Sequence, residues 1–358
     1  MRPKPFIATR VFFIFPFPCY TLNIILTLNR IKTNLKIFIK LNQQPVFQPI
    51  NLIDENKSRI IHFMTHQCYI VAGPTASGKS NFACELARKI NGIIINCDSV
   101  QIYKGMENIS ASPLPEGLDK IVPHKLFSIL PLTEQISVSD YLELARTEYN
   151  TAINAGHPVV FVGGTGFYIN AILKGMSPVP EISNENRDKA RAIVQEYPDA
   201  AKKLLINADS KFDSFDPQRM ARALEVFLET GRPLSEWQSL PRKGAIAPDA
   251  LKIFINPHKD ILISRIAKRI PIMIENGAMD EARTAIQAGW NLNRAIGASE
   301  AARFIRGEIS KSEMMQNWII RTNQYAKRQR TWFRHQFGAD IEIGHIPTNT
   351  DLENVLQK

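Results

Sequence analysis

Gln67–Ala72 (QCYIVA) runs directly into Gly73-Pro74-Thr75-Ala76-Ser77-Gly78-Lys79-Ser80, and the reading of this stretch decides the fold. The first six residues form a short apolar run of strand length. The residues after Ser80 change period: Asn81–Ile90 places Phe82, Leu86 and Ile90 on one face of a helix. Between them the spacing is G-x-x-x-x-G-K-[ST], a phosphate-binding loop. Its glycines let backbone N–H groups converge on phosphate oxygens, and the helix N-terminus adds the positive end of its dipole. Lys79 supplies a charge for the outer phosphate, and the Ser80 hydroxyl can ligate Mg²⁺. The motif fixes phosphate binding and is silent on which phosphate compound binds.

Working outward, a second apolar run, Gly92–Cys97 (GIIINC), ends in Asp98-Ser99-Val100-Gln101-Ile102-Tyr103. A third, Pro158–Val162, ends in Gly163-Gly164-Thr165-Gly166-Phe167-Tyr168. An apolar strand ending in Asp also describes the element that supports Mg²⁺ in nucleotide hydrolases. Asp98 therefore has two readings, metal support or a base facing a nucleophile. On the phosphate loop alone, an ATP-dependent small-metabolite kinase remains the alternative reading.

Five blocks then stand in order. They are GPTASGKS, DSVQIYKGM from Asp98, GGTGFY from Gly163, DPQRMARALE from Asp216, and RTNQYAKRQ from Arg321. In order and spacing, from about Gln67 to Phe337, they resemble the signature blocks of tRNA dimethylallyltransferases. The resemblance implies an α/β fold: a P-loop NTPase-like, doubly wound parallel sheet with a helical insertion domain that clasps the tRNA anticodon stem-loop. It implies transfer of a dimethylallyl group from dimethylallyl diphosphate to N6 of the adenosine 3′ to the anticodon, with Mg²⁺ as cofactor. The phosphate loop, Gly73 to Ser80, would then hold a diphosphate leaving group.

Residue by residue, the resemblance makes Asp98 the carboxylate that accepts a proton from the adenine N6 amine. Such a partner helps because the amine's lone pair is delocalised into the ring. Thr165 falls beside the diphosphate and the reacting base. Ser99, Val100 and Gln101 complete a block that reads a base taken out of its stack. Arg187, Gln218, Arg219, Met220, Ala221, Arg222 and Arg294 match positions that contact tRNA. Arg265 and Arg269, four apart on an expected helix, can present two guanidinium groups to the diphosphate, although such a pair is more often a solvated face. Arg222 can equally pair with Glu225.

The chain also departs from the pattern. Relatives carry D-I-G-T-A-K-P after the second block, where this chain has Glu107-Asn108-Ile109-Ser110-Ala111-Ser112-Pro113, without the Gly and Lys. Ala298 stands where relatives usually place Tyr.

The polar helical stretch over 181–245, bracketed by Pro178, Pro180 and Pro241, reads as the insertion between the core segments 66–180 and 246–340, with a tail over 341–358. The core resumes with the apolar run Leu251–Ile255. Ser310–Phe337 reads as one long helix. Trp318, Tyr325 and Trp332 recur every seventh residue as a packing seam, and Lys327, Arg330 and Arg334 lie about 160° away as a face for phosphates.

Composition narrows the class less than the motifs do. The net charge of +10 is concentrated in residues 1–65, where nine Lys/Arg meet only Asp54 and Glu55, so the rest of the chain carries only +3. Bulk charge therefore does not identify a nucleic-acid binder. The four cysteines, Cys19, Cys68, Cys84 and Cys97, have neither CxxC nor metal-ligand spacing and suit a reducing compartment. Val11–Leu28 is interrupted by Pro16, Pro18, Thr21 and Asn23, too broken for a membrane span. The expectation for 1–63 is upstream sequence ahead of a start at Met64, with a transit peptide as the alternative. A cytoplasmic monomer, with no membrane partner, is expected.

Overall fold

The computed structural model describes residues 66–358 throughout. Ahead of them it describes four strands, β1 (Val11–Pro16), β2 (Thr21–Ile31), β3 (Asn34–Phe38) and β4 (Ile50–Asn51), paired antiparallel as a separate unit. Otherwise the expectations for 1–63 lie outside the described residues.

From Met64 onward the chain forms one unit built on a six-stranded sheet. Its elements run β5 (Cys68–Ala72), α1 (Lys79–Ile90), β6 (Ile93–Asn96), β7 (His124–Lys125), α2 (Val138–Asn154), β8 (Val159–Gly163) and α3 (Gly166–Lys174). After an all-helical stretch of α4 (Asn184–Glu196), α5 (Pro198–Ala208), α6 (Pro217–Thr230) and α7 (Leu234–Ser239), the sheet resumes with β9 (Leu251–Ile255). There follow α8 (Lys259–Met273), α9 (Met279–Gln287), α10 (Ala298–Ile305), α11 (Lys311–Gln336), β10 (Ile341–Ile343) and α12 (Asn349–Leu356).

The strand order is β10-β9-β5-β8-β6-β7, and every pairing is parallel. A parallel sheet needs a cover on both faces, which is why its strands read as continuous apolar runs. Side chains alternate between the faces. Tyr69, Val71, Ile94, Val160, Val162 and Ile253 pack with α1 and α12. Cys68, Ile70, Ala72, Ile95, Phe161 and Phe254 pack on the other face with α2, α3, α8 and α11. Cys68 and Cys97 are buried as free thiols, and burial pushes the Cys97 thiol up to about 12.

The insertion has its own apolar cluster, in which Ala190, Val194, Leu205, Met220 and Leu224 join α4, α5 and α6. Its neck is pinned by reciprocal backbone bonds between Met176 and Lys243, each 2.9 Å. Asp216 starts α6 by accepting the Arg219 amide at 2.9 Å, with Pro217 in the first turn where its missing N–H costs nothing. Helix α11 begins in a capping box, with the Ser310 hydroxyl on the Glu313 amide and the Glu313 carboxylate on the Ser310 amide. Among the described residues, no helix is long and apolar enough to cross a membrane.

A candidate active site at the carboxyl ends of the strands

The loops leaving β5, β6 and β8 meet at one edge of the sheet, the edge where open α/β sheets bind ligands. The phosphate loop leaves β5. Gly73 passes so close to β9 that a Cβ there would lie 2.5 Å from the Ile255 carbonyl. Gly78 adopts φ 91°, a left-handed turn that brings Lys79 to the start of α1. Ala76 is also left-handed, at φ 64°.

A cleft of about 670 Å³ opens above these loops. It gathers Thr75, Ala76, Gly78, Lys79 and Ser80 from the loop, Asp98 to Gln101 from the end of β6, and Arg265 and Arg269 from α8. Lys268, Arg294, Arg321 and Arg328 bring the cations lining it to seven, against only Asp98 and Glu116. That imbalance selects an anion.

Arg269 donates to the Thr75 hydroxyl at 2.7 Å and so faces the phosphate loop, while Arg265, one turn earlier, lines the cleft but is exposed. The Arg269 Nε is buried without a partner among the described residues, as is the Ser77 hydroxyl in the loop. Burial pushes the Lys79 ammonium down to about 8, Asp98 partly offsetting this and Arg269 adding to it. Burial and the neighbouring Arg265 lower Arg269 to about 10. An anion bound here would restore full charge to Lys79.

Asp98 is held by its own turn. Its Oδ1 accepts the Val100 amide at 3.0 Å and the Gln101 amide at 3.5 Å, leaving Oδ2 for a ligand. Asn96, fully buried, braces the turn by accepting the Asp98 amide at 2.8 Å and donating to the Asp98 and Leu126 carbonyls. Gln101 Nε2 donates to the Ser110 and Ala111 carbonyls, so that side chain anchors the following loop with one end. Thr165 does not line the cleft; its hydroxyl accepts the Ser99 amide at 3.0 Å and donates to the Ser99 hydroxyl at 3.3 Å.

A family model described as IPP transferase matches residues 101–336. The chain is 41% identical over 277 residues to a tRNA dimethylallyltransferase of Zymomonas mobilis, covering 76% of this chain and 88% of that one. The chain belongs to the IPP transferase family. Among solved structures, the full-length tRNA isopentenylpyrophosphate transferase of Bacillus halodurans aligns with a TM-score of 0.58 at 27% identity, covering 80% of this chain and 93% of that one. A eukaryotic dimethylallyltransferase acting on tRNA shares the fold, with a TM-score of 0.65 at 24% identity over 77% of this chain and 73% of its own. Membership of the IPP transferase family sets the kinase reading aside.

The residues expected at the site do not all share one place. Arg294 lines the cleft and donates to the Tyr103 hydroxyl at 2.8 Å. Arg187, Gln218, Arg219 and Arg222 lie on the insertion, outside the cleft lining. Arg222 pairs with Glu225 at 2.6 Å. Met220 is only 3% exposed within the insertion core, so its side chain is not free for an external ligand, while Ala221 packs against that core and stays partly exposed.

The aromatic seam of α11 also divides. Trp318 is buried, with one edge on the cleft, and Trp332 lies against Gly166. Tyr325 faces the cleft, its phenol pushed up mainly by burial and also by Asp98. On the opposite face Arg330 is already committed, donating to Asn256 at 2.8 Å, while Lys327 and Arg334 are exposed.

The two departures from the family pattern are accommodated in different ways. Glu281 of α9 accepts the Asn108 and Ile109 amides and the Asn108 side chain, each at 2.8 Å, which shapes the loop that lacks the usual Gly and Lys. Ala298 is fully buried at the start of α10. Sequence reading passed over Asn96, Glu281 and Gln329. Asn96, a lone amide in the apolar run GIIINC, and Gln329, the last residue of the RTNQYAKRQ block, carried a signal; Glu281, among polar neighbours, carried none.

Proposed function

We propose that this protein transfers a dimethylallyl group from dimethylallyl diphosphate to N6 of the adenosine 3′ to the anticodon of a tRNA, releasing diphosphate. One observation carries the reading: a phosphate loop ringed by cations opens into the same cleft as a carboxylate with one free oxygen. The loop amides, Lys79, Arg265 and Arg269 receive the diphosphate, and charge building on the leaving oxygens meets donors already in place. Asp98 Oδ2 accepts the N6 hydrogen bond. As nitrogen attacks C1 of the allylic group, the C1–O bond breaks, the diphosphate keeps the electron pair, and the N6 proton passes to Asp98.

Magnesium suits this donor set. Among the described residues there is no cluster of three His, Cys, Asp or Glu that could hold a metal. Mg²⁺ commonly makes do with few protein ligands plus substrate phosphate oxygens. Ser80 would hold it beside the diphosphate, where it would supply charge neutralisation.

The insertion, with Arg187, Gln218, Arg219 and Arg222, is the part suited to the anticodon stem-loop. Exposed Lys327 and Arg334 on α11 add phosphate contacts. On this reading the protein works as a monomer in the cytoplasm. The test is incubation with labelled dimethylallyl diphosphate and unmodified tRNA, followed by nucleoside analysis. Label in an N6-alkylated adenosine supports the reading, and label absent from the tRNA refutes it.

A further inference from the structure

Gln329 joins two loops that the sequence leaves far apart. Its Oε1 accepts the Thr75 amide of the phosphate loop at 2.9 Å, and its Nε2 donates to the Gly164 carbonyl at the end of β8 at 2.9 Å. The side chain is 6% exposed, and Gly164 approaches it so closely that no Cβ would fit there. Both ends of the amide are therefore used, the Gly164 end fully buried and the Thr75 end at the wall of the cleft.

The contacts continue in both directions. Thr75 is gripped from the other side by Arg269, one of the two arginines at the phosphate end of the cleft. The residue after Gly164 is Thr165, whose hydroxyl holds the Ser99 amide in the turn that carries Asp98. Tyr325, one helical turn before Gln329, lines the same cleft. One face of α11 thus ties the loop that cradles the diphosphate to the turn that presents the carboxylate.

We propose that Gln329 is a positioning residue that fixes the distance and orientation between the diphosphate cradle and the acceptor-reading turn, acting through Thr75 on one side and Gly164–Thr165 on the other. The inference rests on the transfer reading for its kinetic consequence, but its structural half does not need that reading. Gln329 accepts the Thr75 amide itself, so that donor is taken by the bridge and not by the phosphate. Losing the bridge then costs alignment more than donor binding. A misplacement of about 1 Å between reacting groups lowers a rate on the order of 10²-fold.

The variant Gln329→Met keeps length and bulk while removing both hydrogen bonds. Two measurements on the full chain test the idea. Single-turnover transfer should fall on the order of 10²-fold, while the affinity for Mg²⁺-pyrophosphate by calorimetry stays within about threefold. Amide hydrogen exchange should accelerate at Thr75 and also at Ser99, whether or not the protein is a transferase.

A transfer rate near wild type, or rate and pyrophosphate affinity falling together, overturns the proposal. So does faster exchange confined to Thr75. If wild type itself does not modify tRNA, the functional reading fails while the exchange result still decides the bridge. Should Gln329→Met melt below the assay temperature, Gln329→Glu retains the acceptor for Thr75 and loses only the donor to Gly164. In that protein exchange at Ser99 should rise with Thr75 nearly unchanged, and the reverse pattern refutes the bridge.

Discussion

Replacing Asp98 by Asn tests the chemistry at its centre, because the structure separates what the two carboxylate oxygens do. Oδ1 holds the Val100 and Gln101 amides, and an Asn carbonyl can hold them equally. The turn should persist, with a stability change of about 1 kcal/mol or less. What disappears is the acceptor at Oδ2 and its negative charge. Loss of a general base lowers a rate by about 10²–10⁴, equivalent to about 3–5 kcal/mol in the barrier.

The same substitution has an electrostatic side effect. Asp98 is the group that holds the Lys79 ammonium up against its burial, so Lys79 should titrate below its present value of about 8 in the variant. A bound diphosphate raises that value again. Donor affinity is thus full at low pH and weakens as pH rises through the free-state value, earlier in the variant than in wild type.

Donor affinity should therefore be measured with Mg²⁺ at about pH 6.5, where Lys79 is charged in both proteins, and at about pH 8.5. The expected result is unchanged affinity at the lower pH, weaker binding at the higher pH, and a collapsed single-turnover rate at both. A rate within about tenfold of wild type refutes Asp98 as proton acceptor. Lost Mg²⁺-dependent affinity at the lower pH would assign it to metal support.

Lys79→Met should raise the melting temperature of the unliganded protein at neutral pH while abolishing tight pyrophosphate binding. The folded pKa lies below the unfolded value, so charging Lys79 opposes folding at pH 7, and wild-type stability should climb between about pH 8 and 10.5. Gly297→Ala should destabilise by about 2–4 kcal/mol in urea titrations, combining left-handed strain with overpacking. Gly297 sits at φ 101° with the Trp318 ring where a Cβ would go. Replacing Lys327 and Arg334 with Ala should flatten the salt dependence of tRNA binding by about 0.7–0.9 per lost phosphate contact. Adding Arg330→Ala should flatten it no further, since that guanidinium is held by Asn256.

The sequence by itself determined the phosphate loop, the parallel strands beside it, the candidate carboxylate and the long final helix. These are local codes. A glycine-spaced loop between an apolar run and a helical period depends on backbone conformation over about a dozen residues. A strand ending in Asp98 brings that residue to the sheet edge whatever else the chain does, and Ser310 with Glu313 marks where α11 starts. Tertiary structure alone decided which side of each helix counts. Arg265 and Arg269 have the spacing of a solvated pair. They became cleft residues because α8 packs along α11, and Arg269 reaches Thr75. Arg330 looks equivalent to Lys327 and Arg334 by period, yet it is taken by Asn256 from the end of β9. Met220 stands in a block of polar neighbours and is drawn into the insertion's core, because the two adjacent helices need apolar volume there. Gln329 reaches Thr75 across 254 residues of sequence, a partnership no local pattern encodes. Side chains that are alike in type and spacing are distinguished by the surfaces that face them, and those surfaces exist only once the distant segments have packed.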